Sequence, residues 1–493
     1  MLVKEIAMKT LISIIGAVFV VGAAFAEPAT ELPATNLIYT DVDHSQQIQP
    51  DSENPALAAA LQGSRDKSKR VRTLAPSVGA GLEYGNIEDL FDFYNKVKTT
   101  WEPSEPGEPG DGLPTPENPT SGITLDDVLD MLDPEQTALL EALASEVAKQ
   151  VALLALISVE GYGKVWASGD IPLGLDNDFL GGTWTMGLGW KATSKAFGLA
   201  EPIEFDLEAA RVAITDWINT LPMDRPTGFA ISDDINLTPD PSNNSVIFSL
   251  NNDSSLVTKS ARVTELKLGY SREAWEDQAG RLYLGAEARL LSMQLSRVAV
   301  RFGDISDSGE LFQDIRNADY ESDAGFSLDV GAIWLAENYQ LGAQVRNLNR
   351  PEFLFPDVDL TPYQDDGVIG FLQSDKRYTM DRQLKLEASV FTADRRWTSH
   401  LRLDVDPVTD PMGDSYQWMT LSAGYNSGNW WLPNARVGLR RNLTGTELTY
   451  VGVGITAFKY LNIDIASALD TVKINGNSLP LGLMGSIGFQ VQW

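Results

Sequence analysis

The chain has 493 residues, which is long enough for two or three globular domains or for one large barrel. Its 38 Lys and Arg residues stand against 68 Asp and Glu, and the net charge of −30 argues against a nucleic-acid partner because such a surface repels phosphate. Cysteine is absent, which excludes disulfide scaffolds, thiolate zinc sites and cysteine nucleophiles. With only two histidines as well, the sequence predicts no metal site and no cofactor.

Residues 1–26 have the order of a secretory signal peptide. Lys4 and Lys9 precede an apolar run over residues 11–21, and the small-residue sequence Ala-Phe-Ala follows at 24–26. The apolar run is too short for a transmembrane anchor. We therefore predict cleavage after Ala26 and export of the mature chain.

The segment after the signal peptide is irregular in its patterning. The sequence predicts a polar N-terminal arm at residues 27–73 and the first barrel strands at residues 74–193. Two insertions interrupt those strands: an acidic Pro-rich linker at 102–120 and a helical insert at 124–158, which has a capping box at residues 133–136. Counting strands back from the C-terminus places this insert on the outer side of the barrel, although it can also fold into the lumen as a plug. Residues 194–261 predict a long loop region.

Residues 262–493 alternate apolar and polar side chains over many short segments. In one segment Leu384, Leu386 and Ala388 alternate with charged and amide side chains, and in the last segment Ile487 and Phe489 share one face with Leu483. A period of two that recurs this often predicts strands with one apolar and one polar face. These residues are therefore predicted to form C-terminal barrel strands.

The connections between these segments alternate in length. Short turns are predicted near residues 273–280, 336–338, 393–395, 427–433 and 459–460, and most of the connections between them are longer. Up-and-down membrane barrels have short turns at one end and long loops at the other. We predict an all-β transmembrane barrel of about fourteen antiparallel strands, with twelve to sixteen plausible. A soluble β-sandwich is the alternative, but its hairpins do not sort by length in this way.

The polar faces of these strands carry charges of both signs that are close to balance. The residues predicted to face the lumen are Glu287, Arg289, Asp329, Arg346, Lys385, Glu387, Arg402 and Asp404. Charges paired inside a narrow barrel can close it as readily as line a pore, so no ion selectivity is predicted from them.

Aromatic residues gather near the ends of the segments. Those predicted to form an interfacial girdle are Trp397, Tyr425, Trp430, Trp431, Tyr450, Tyr460 and Trp493. The chain ends on an alternating strand with Phe489, Val491 and Trp493 on one face. This ending resembles the sorting signal that the barrel-assembly machinery of Gram-negative bacteria recognises.

Catalytic motifs are absent from the sequence: it contains no Gly-x-Ser-x-Gly, no His-Glu-x-x-His and no phosphate-binding loop. His400 shares a predicted inner face with Arg402 and Asp404, and a barrel hydrolase can be built on such a histidine. A polar lumen residue is the preferred interpretation because no nucleophile adjoins it. The acidic runs at 176–178 and 233–234 lack the ligand spacing of a calcium loop and are interpreted as solvated loops.

Several stretches point to a family. They are Arg-Asn-Leu-Asn-Arg-Pro-Glu-Phe at 346–353, Tyr-Thr-Met at 378–380, Val-Gly-Val-Gly-Ile-Thr at 451–456 and Leu-Asp-Thr-Val-Lys-Ile at 469–474. With them the chain resembles the conjugal-transfer TraF-like barrels, relatives of the FadL-like fatty-acid channels.

The resemblance implies a non-enzymatic protein of the Gram-negative outer membrane with a role in the envelope or in plasmid transfer. The alternative is a FadL-like channel for the uptake of hydrophobic small molecules. The implied partners are outer-membrane lipid, the barrel-assembly machinery and envelope or conjugation proteins, with no nucleic acid.

Overall fold

Fourteen antiparallel strands close a single β-barrel in the described part of the chain. The computed structural model describes residues 54–63, 73–85, 161–175, 179–201, 229–230, 235–240, 245–250, 253–301, 304, 318–474, 477–489 and 491–492. The barrel strands are β1 (Ser77–Tyr84), β2 (Tyr162–Leu175), β3 (Thr183–Leu199), β4 (Ser255–Glu276), β5 (Arg281–Arg301), β6 (Glu321–Leu335), β7 (Tyr339–Arg346), β8 (Gln383–Phe391), β9 (Trp397–Asp404), β10 (Trp418–Tyr425), β11 (Asn434–Asn442), β12 (Thr449–Ala457), β13 (Leu461–Ala468) and β14 (Gly482–Phe489).

The first strand closes the ring by pairing on both of its edges. In β1, Val78 lies opposite Ile487 of β14, and Ala80 lies opposite Ala167 of β2. Two short strands, Thr73–Leu74 and Val491–Gln492, pair with each other and extend the ladder at this closure. Because every barrel edge is paired, the backbone groups of the strands are satisfied within the sheet. The predicted barrel and its strand number are confirmed.

Connections at the two ends of the barrel differ in length. At one end, the short-turn end, β4–β5, β6–β7, β8–β9, β10–β11 and β12–β13 are joined by residues 277–280, 336–338, 392–396, 426–433 and 458–460. At the opposite, long-loop end the connections include residues 347–382 and 405–417. The β11–β12 connection, residues 443–448, is short although it lies at the long-loop end.

The two faces of each strand have opposite chemistry. On β10 the Leu421 side chain is 55% exposed while its neighbour Ser422 is 3% exposed. On β12, Val453 is 60% exposed and Thr456 is buried. In a closed barrel the buried polar face is the inner one, so the exposed apolar side chains form an outer belt.

On the longest strands the outer belt ends at a definite position on the side of the long-loop end. Leu266 of β4, Leu290 of β5 and Phe326 of β6 lie side by side and are exposed. One step toward the long-loop end, the outer positions are Thr264 and Ser292. The 22 residues of β4 and 21 residues of β5 therefore extend well beyond the belt, whereas β9 has only 8.

A folded loop covers the inner face of these extended strands. We name residues 347–382 the outer loop; it contains the paired strands Glu352–Leu354 and Arg377–Thr379 and the helix α2 (Asp366–Ser374). Asp365 caps α2 by accepting a hydrogen bond from the Val368 amide at 2.7 Å. Two apolar clusters join the outer loop to β4 and β5, and they include Val257, Ala261, Met293, Phe353, Phe355, Tyr363 and Leu372.

Two predicted segments differ from the structure. The arm predicted as polar at 27–73 contains the helix α1 (Leu57–Gly63), whose sequence Leu-Ala-Ala-Ala-Leu is apolar and buried. The loop region predicted at 194–261 includes the end of β3 and the start of β4, and paired strands Ile235–Asp240 and Ser245–Leu250 lie between them. The two ends of this predicted loop are strand because β3 and β4 continue beyond the apolar belt.

Three other predicted segments lie outside the described residues. These are the signal peptide at 1–26, the linker at 102–120 and the helical insert at 124–158. Among the described residues, no helix is both long enough and apolar enough to cross a membrane.

Candidate functional site

The barrel interior is occupied at three levels by the chain itself. A helical segment packs on the inner wall at the short-turn end, ion pairs link neighbouring strands along the inner wall at the middle, and a loop spans the long-loop end. Each level is built from side chains on the inner faces of several strands, and the strap contacts at the long-loop end depend on closure of the ring.

The segment at the short-turn end, residues 54–63, is named the plug. Asn54 donates through Nδ2 to the carbonyl oxygens of Ala332 and Ala343, both at 3.4 Å, and to Oε1 of Glu387 at 3.0 Å. The Ala59 amide donates to Ser271 Oγ at 3.1 Å. An apolar cluster joins the helix to the inner wall, through Leu57, Leu61, Tyr283, Ile333, Leu335 and Phe391.

Two facing glycines make room for the plug. Gly285 of β5 lies opposite Gly331 of β6. A Cβ on Gly285 would lie 2.3 Å from the Pro55 carbonyl carbon, and one on Gly331 would lie 2.1 Å from Asn54 Oδ1. Both positions therefore favour glycine, because the plug backbone approaches Gly285 closely and the Asn54 side chain approaches Gly331 closely.

Arg289 is the centre of the ion pairs in the middle of the barrel. Its Nη2 donates to Ser327 Oγ at 3.1 Å, to Asp329 Oδ1 at 3.2 Å and to Asn347 Oδ1 at 2.5 Å. Its Nη1 lies 3.6 Å from Glu265 Oε2, and Glu265 also pairs with Lys191. All the charged side chains in this group are almost fully buried.

The other residues predicted to face the lumen lie on the same buried faces. Arg346 Nε is 3.6 Å from Asp329 Oδ2, and Lys385 Nζ is 3.9 Å from Asp404 Oδ1. Asp404 also accepts from the Gln383 side-chain amide at 3.1 Å.

Three more of the predicted residues have neighbours on adjacent strands. Glu387 lies opposite Arg402 in the ladder and holds Asn54 of the plug. Glu287 lies opposite Asp329.

Replacing Arg289 by methionine is expected to lower the free energy of unfolding by about 3–5 kcal/mol, because Glu265 and Asp329 lose a buried counter-charge. Urea unfolding in detergent micelles, followed by tryptophan fluorescence, measures this change. The matched control is Arg377→Met, since Arg377 pairs with Glu352 at 2.8 Å but both side chains are more than half exposed. The control should change the free energy by about 1 kcal/mol or less. Equal effects in the two variants would contradict the structural role of Arg289.

The long-loop end is crossed by residues 405–417, which we name the strap. It connects β9 to β10, yet its tip contacts β2 and β3 on the far side of the ring. On one side of the ring, the strands β11 to β14 and β1 separate β10 from β2. Asp410 Oδ1 shapes the tip by accepting the amides of Met412 and Asp414, both at 2.9 Å.

Two lysines hold the strap at its tip. Lys164 of β2 pairs with Asp410, and it donates to Asp414 Oδ2 at 2.8 Å and to the Tyr416 hydroxyl at 2.5 Å. Lys195 of β3 pairs with the other oxygen of Asp414. Met412 packs in the apolar cluster that contains Phe353 and Met380, so the strap and the outer loop close the same opening.

The two carboxyl groups of the strap respond differently to burial. Burial on its own raises the pKa of Asp414, but the ammonium groups of Lys164 and Lys195 outweigh it and lower the pKa to about 2. Burial raises the pKa of Asp410 above its ordinary value despite the attraction of Lys164. Asp414 is therefore the carboxylate that keeps its charge in mild acid.

The contribution of Asp414 to strap closure is expected to depend on pH. The pKa of Asp414 in the folded protein is about 2, below the ordinary value of about 3.9, so its ionised form stabilises the closed strap. This stabilisation is complete above about pH 4 and is lost as the pH falls through about 2. The measurement is the reaction rate of Met412→Cys with 4,4′-dithiodipyridine, with and without Asp414→Asn. The rate difference between the two proteins should be constant from neutral pH to about 5 and vanish near pH 2. A difference that persists at pH 2 would contradict this assignment.

Sequence reasoning missed the residues that hold the strap. Lys164 is far from Asp410 and Asp414 in the sequence, and no motif marks the three residues. Lys164 does alternate with apolar outer residues in β2, which is the one signal that places it inside. A second missed pair is Arg436 with Asp464, joined by two hydrogen bonds of 3.0 Å across β11 to β13.

Tyr450 was predicted in the aromatic girdle, and the structure corrects this. It lies on the inner face of β12, is 1% exposed, and donates to Glu83 Oε2 at 2.7 Å. The period of two decides its direction, because Val451, Val453 and Ile455 occupy the outer face. Among the other girdle residues, Trp397, Trp430, Trp431 and Tyr460 are exposed, and Trp397 packs on Tyr425 at 4.8 Å between ring centroids.

His400 is buried on the inner face of β9. Its Nδ1 is 2.9 Å from the hydroxyl oxygen of Ser389. In the described ranges no group of three or more histidine and carboxylate side chains is arranged to hold a metal ion. The acidic runs at 176–178 and 233–234 lie outside the described residues.

The predicted sorting signal is only partly described. Phe489 is 48% exposed on the outer face, and its ring lies 6.2 Å from that of Tyr460. Val491 lies in the short strand that extends the closure, and Trp493 is outside the described residues.

A closed barrel with an apolar outer belt and a charged interior defines this chain as a barrel of the membrane-spanning type. The chain belongs to the family described as "F plasmid transfer operon, TraF, protein", whose model matches residues 52–406. No curated protein sequence matches it significantly.

Solved structures resemble the chain distantly. A Pseudomonas aeruginosa FadL homologue is 11% identical with a TM-score of 0.39, covering 96% of this chain and 99% of its own. A TodX mutant described as a monoaromatic hydrocarbon channel is 10% identical with a TM-score of 0.37, covering 89% and 92%. A mutant of the Rh. blastica porin is 10% identical with a TM-score of 0.23, covering 86% and 100%. What the barrel does has to be inferred from its own residues.

Proposed function

We propose that this TraF-family barrel is a non-enzymatic protein of the Gram-negative outer membrane that acts in envelope or plasmid-transfer assembly. The observation that carries the proposal is the interior, in which the plug packs inside the short-turn end, buried ion pairs line the wall and the strap spans the long-loop end. Such an interior suits a protein that works through its exposed ends and loops more than through a permanently open pore.

The outer belt supports a location in lipid. The exposed side chains of neighbouring strands are Leu, Val, Ile and aromatic residues, as at Leu421, Val437 and Val453. Apolar side chains in contact with water would be costly, and only a hydrocarbon surround removes that cost around a whole barrel. The predicted signal peptide at 1–26 and the terminal Phe489, Val491 and Trp493 support export and assembly by the barrel-assembly machinery.

The alternative, a FadL-like channel for hydrophobic small molecules, requires an apolar path through the lumen. Buried ion pairs around Arg289 and Lys164 count against such a path, because they place charge where an apolar solute would pass. Catalysis by His400 likewise lacks support, because the adjacent Ser389 hydroxyl is buried with it in the inner wall and no catalytic motif in the sequence marks either residue.

The location is tested by expressing the full chain in a Gram-negative host and separating the membranes. We expect heat-modifiable protein in the outer-membrane fraction after removal of residues 1–26. Deleting Trp493 should leave unfolded protein in the periplasm, and deleting residues 102–110 of the predicted linker is the control, with normal insertion expected. Finding the intact chain soluble in the periplasm would overturn the proposal.

The role in plasmid transfer is tested separately by mating. Removing the gene from a donor that carries its native plasmid should lower the transfer frequency, and the wild-type chain should restore it. An unchanged frequency would remove the transfer role while leaving the envelope role in place.

A further inference from the structure

One lysine and two carboxyl groups meet in a closed space at the tip of the strap. Lys164 Nζ contacts Oδ2 of Asp410, and both side chains are 0% exposed. The same nitrogen donates to Asp414 Oδ2 at 2.8 Å and to the Tyr416 hydroxyl at 2.5 Å. An amine held against a buried carboxyl group supplies the two reactants of an amide bond already in contact.

The other oxygen of Asp410 lies where negative charge is stabilised. Oδ1 accepts the backbone amides of Met412 and Asp414, both at 2.9 Å. Two backbone hydrogen bonds fix this turn, from the Asp410 amide to the Asp414 carbonyl at 2.9 Å and from the Gly413 amide to the Asp410 carbonyl at 3.0 Å. Two N–H groups aimed at one carboxyl oxygen polarise the carboxyl carbon and stabilise the oxyanion of a tetrahedral intermediate.

Asp414 is placed to move protons between the two reactants. Its Oδ2 accepts from Lys164, and its Oδ1 is held by Lys195 of β3. Glu83 is a further buried carboxylate near this lysine, but two tyrosine hydroxyls donate to its oxygens at 2.8 and 2.7 Å. Asp414 is therefore the carboxylate that can take a proton from Nζ and return it to the departing oxygen.

The surroundings of the pair favour condensation over hydrolysis. Tyr416 stacks on Trp418 at 5.8 Å between ring centroids, within a buried cluster that also contains Leu448. A site that excludes water removes the excess of water that would otherwise favour the separate acid and amine. Burial also raises the pKa of Asp410, which favours the protonated carboxyl group that an amine can attack.

We propose that Lys164 and Asp410 condense to an amide that fastens the strap covalently to β2. The ammonium group passes one proton to Oδ2 of Asp410, which leaves a neutral amine beside a carboxylic acid. Nζ attacks Cγ, Asp414 takes a second proton from Nζ, and the Cγ–Oδ2 bond breaks as Asp414 returns that proton to the departing hydroxyl. One water is released, the amide keeps the third proton, and Asp414 ends as a carboxylate.

The ion pair described above is the form of these residues before the bond forms. The pH dependence of strap closure belongs to that form and is measured on protein that has just been refolded. Once formed, the amide closes a ring of chain from Lys164 to Asp410 and holds the strap permanently across the long-loop end. This tether does not depend on the proposed role in the envelope or in plasmid transfer.

Intact-mass spectrometry measures the condensation. The full chain is recovered unfolded in urea, refolded into detergent micelles and sampled over days. We expect the mass to fall by one water after refolding and to stay unchanged in urea. Lys164→Met should keep its full mass. Asp410→Asn should instead lose one ammonia and reach the same final mass as the wild type, because the amide product is identical.

Tryptic peptides locate the bond. The expected product joins residues 150–191 to residues 403–436, since trypsin no longer cleaves after Lys164. Lys259 and Asp375 provide an internal control, because they pair at 2.8 Å while no second carboxylate of the described residues pairs with Lys259. Their peptides should stay separate.

Asp414→Asn should slow the mass loss by about 100-fold or more, as expected when a proton-transfer group is removed. An unchanged rate in this variant, folded as judged by heat modifiability, would overturn the role of Asp414. A heat-modifiable wild-type barrel that keeps its full mass for days would overturn the amide itself. A loss of water without the branched peptide would do the same, because it would mark cyclisation at an Asp-Gly sequence such as 366–367.

Discussion

Lys164→Met is expected to release the strap from the barrel wall. Lys164 is the shared partner of Asp410, Asp414 and the Tyr416 hydroxyl, and its side chain is 0% exposed. Its loss leaves two buried carboxylates with only Lys195 in contact with one of them. Removing one partner of a buried ion pair costs about 3–5 kcal/mol, which is enough to favour a displaced strap.

Release of the strap is measured at Met412, which is 2% exposed in the closed form. The rate at which Met412→Cys reacts with a charged maleimide should rise by at least 100-fold or so in the Lys164→Met background, as expected for a loss of about 3 kcal/mol. The matched control is Lys376→Met, since Lys376 pairs with Asp357 in the outer loop with both side chains exposed. An unchanged rate in a heat-modifiable Lys164→Met barrel would show that the strap does not depend on this lysine.

Gly285→Ala is expected to displace the plug while leaving the barrel closed. The added Cβ would lie 2.3 Å from the Pro55 carbonyl carbon and 2.5 Å from the Ala56 amide nitrogen, and both are backbone atoms that no side-chain rotation can move. The barrel wall is held by ladders on both sides of β5, whereas the plug is held by a few hydrogen bonds and one apolar cluster. The plug is therefore the element that moves.

Displacement of the plug is measured at Leu61, which is 1% exposed. Leu61→Cys should become reactive to a charged maleimide in the Gly285→Ala protein. Gly163→Ala is the control, because a Cβ at Gly163 of β2 meets no atom within 4 Å. Continued protection of residue 61 in the Gly285→Ala protein would mean that the wall, not the plug, gives way.

The strands could be predicted from the sequence because their signal is local. Gln383, Lys385 and Glu387 alternate with apolar residues, and alternation alone assigns each side chain to a face. The same rule places Tyr450 inside, although aromatic residues near a strand end first suggest a girdle. Strand number followed from the period and the turn lengths, and both are properties of neighbouring residues.

The contents of the barrel could not be predicted because they join distant parts of the chain. Nothing local in Lys164 indicates Asp410 as its partner, since closure of the ring and the path of the strap bring them together. The apolar run at 57–61 is visible within the polar arm, but its place beside Gly285 and Gly331 depends on the whole barrel. The sequence therefore predicts which charged side chains face the lumen, but it does not predict which of them pair with each other.

The central claim, that the barrel spans a membrane with its apolar belt in lipid, is tested most directly by spin labels along β10. Single cysteines at Met419, Leu421 and Ala423 on the outer face, and at Thr420 and Ser422 on the inner face, are labelled in liposomes. Collisions with oxygen should be frequent at the three outer positions and rare at the two inner ones, with a water-soluble nickel complex excluded from Leu421. Frequent collisions of the nickel complex at Leu421, or no alternation along the strand, would contradict the account.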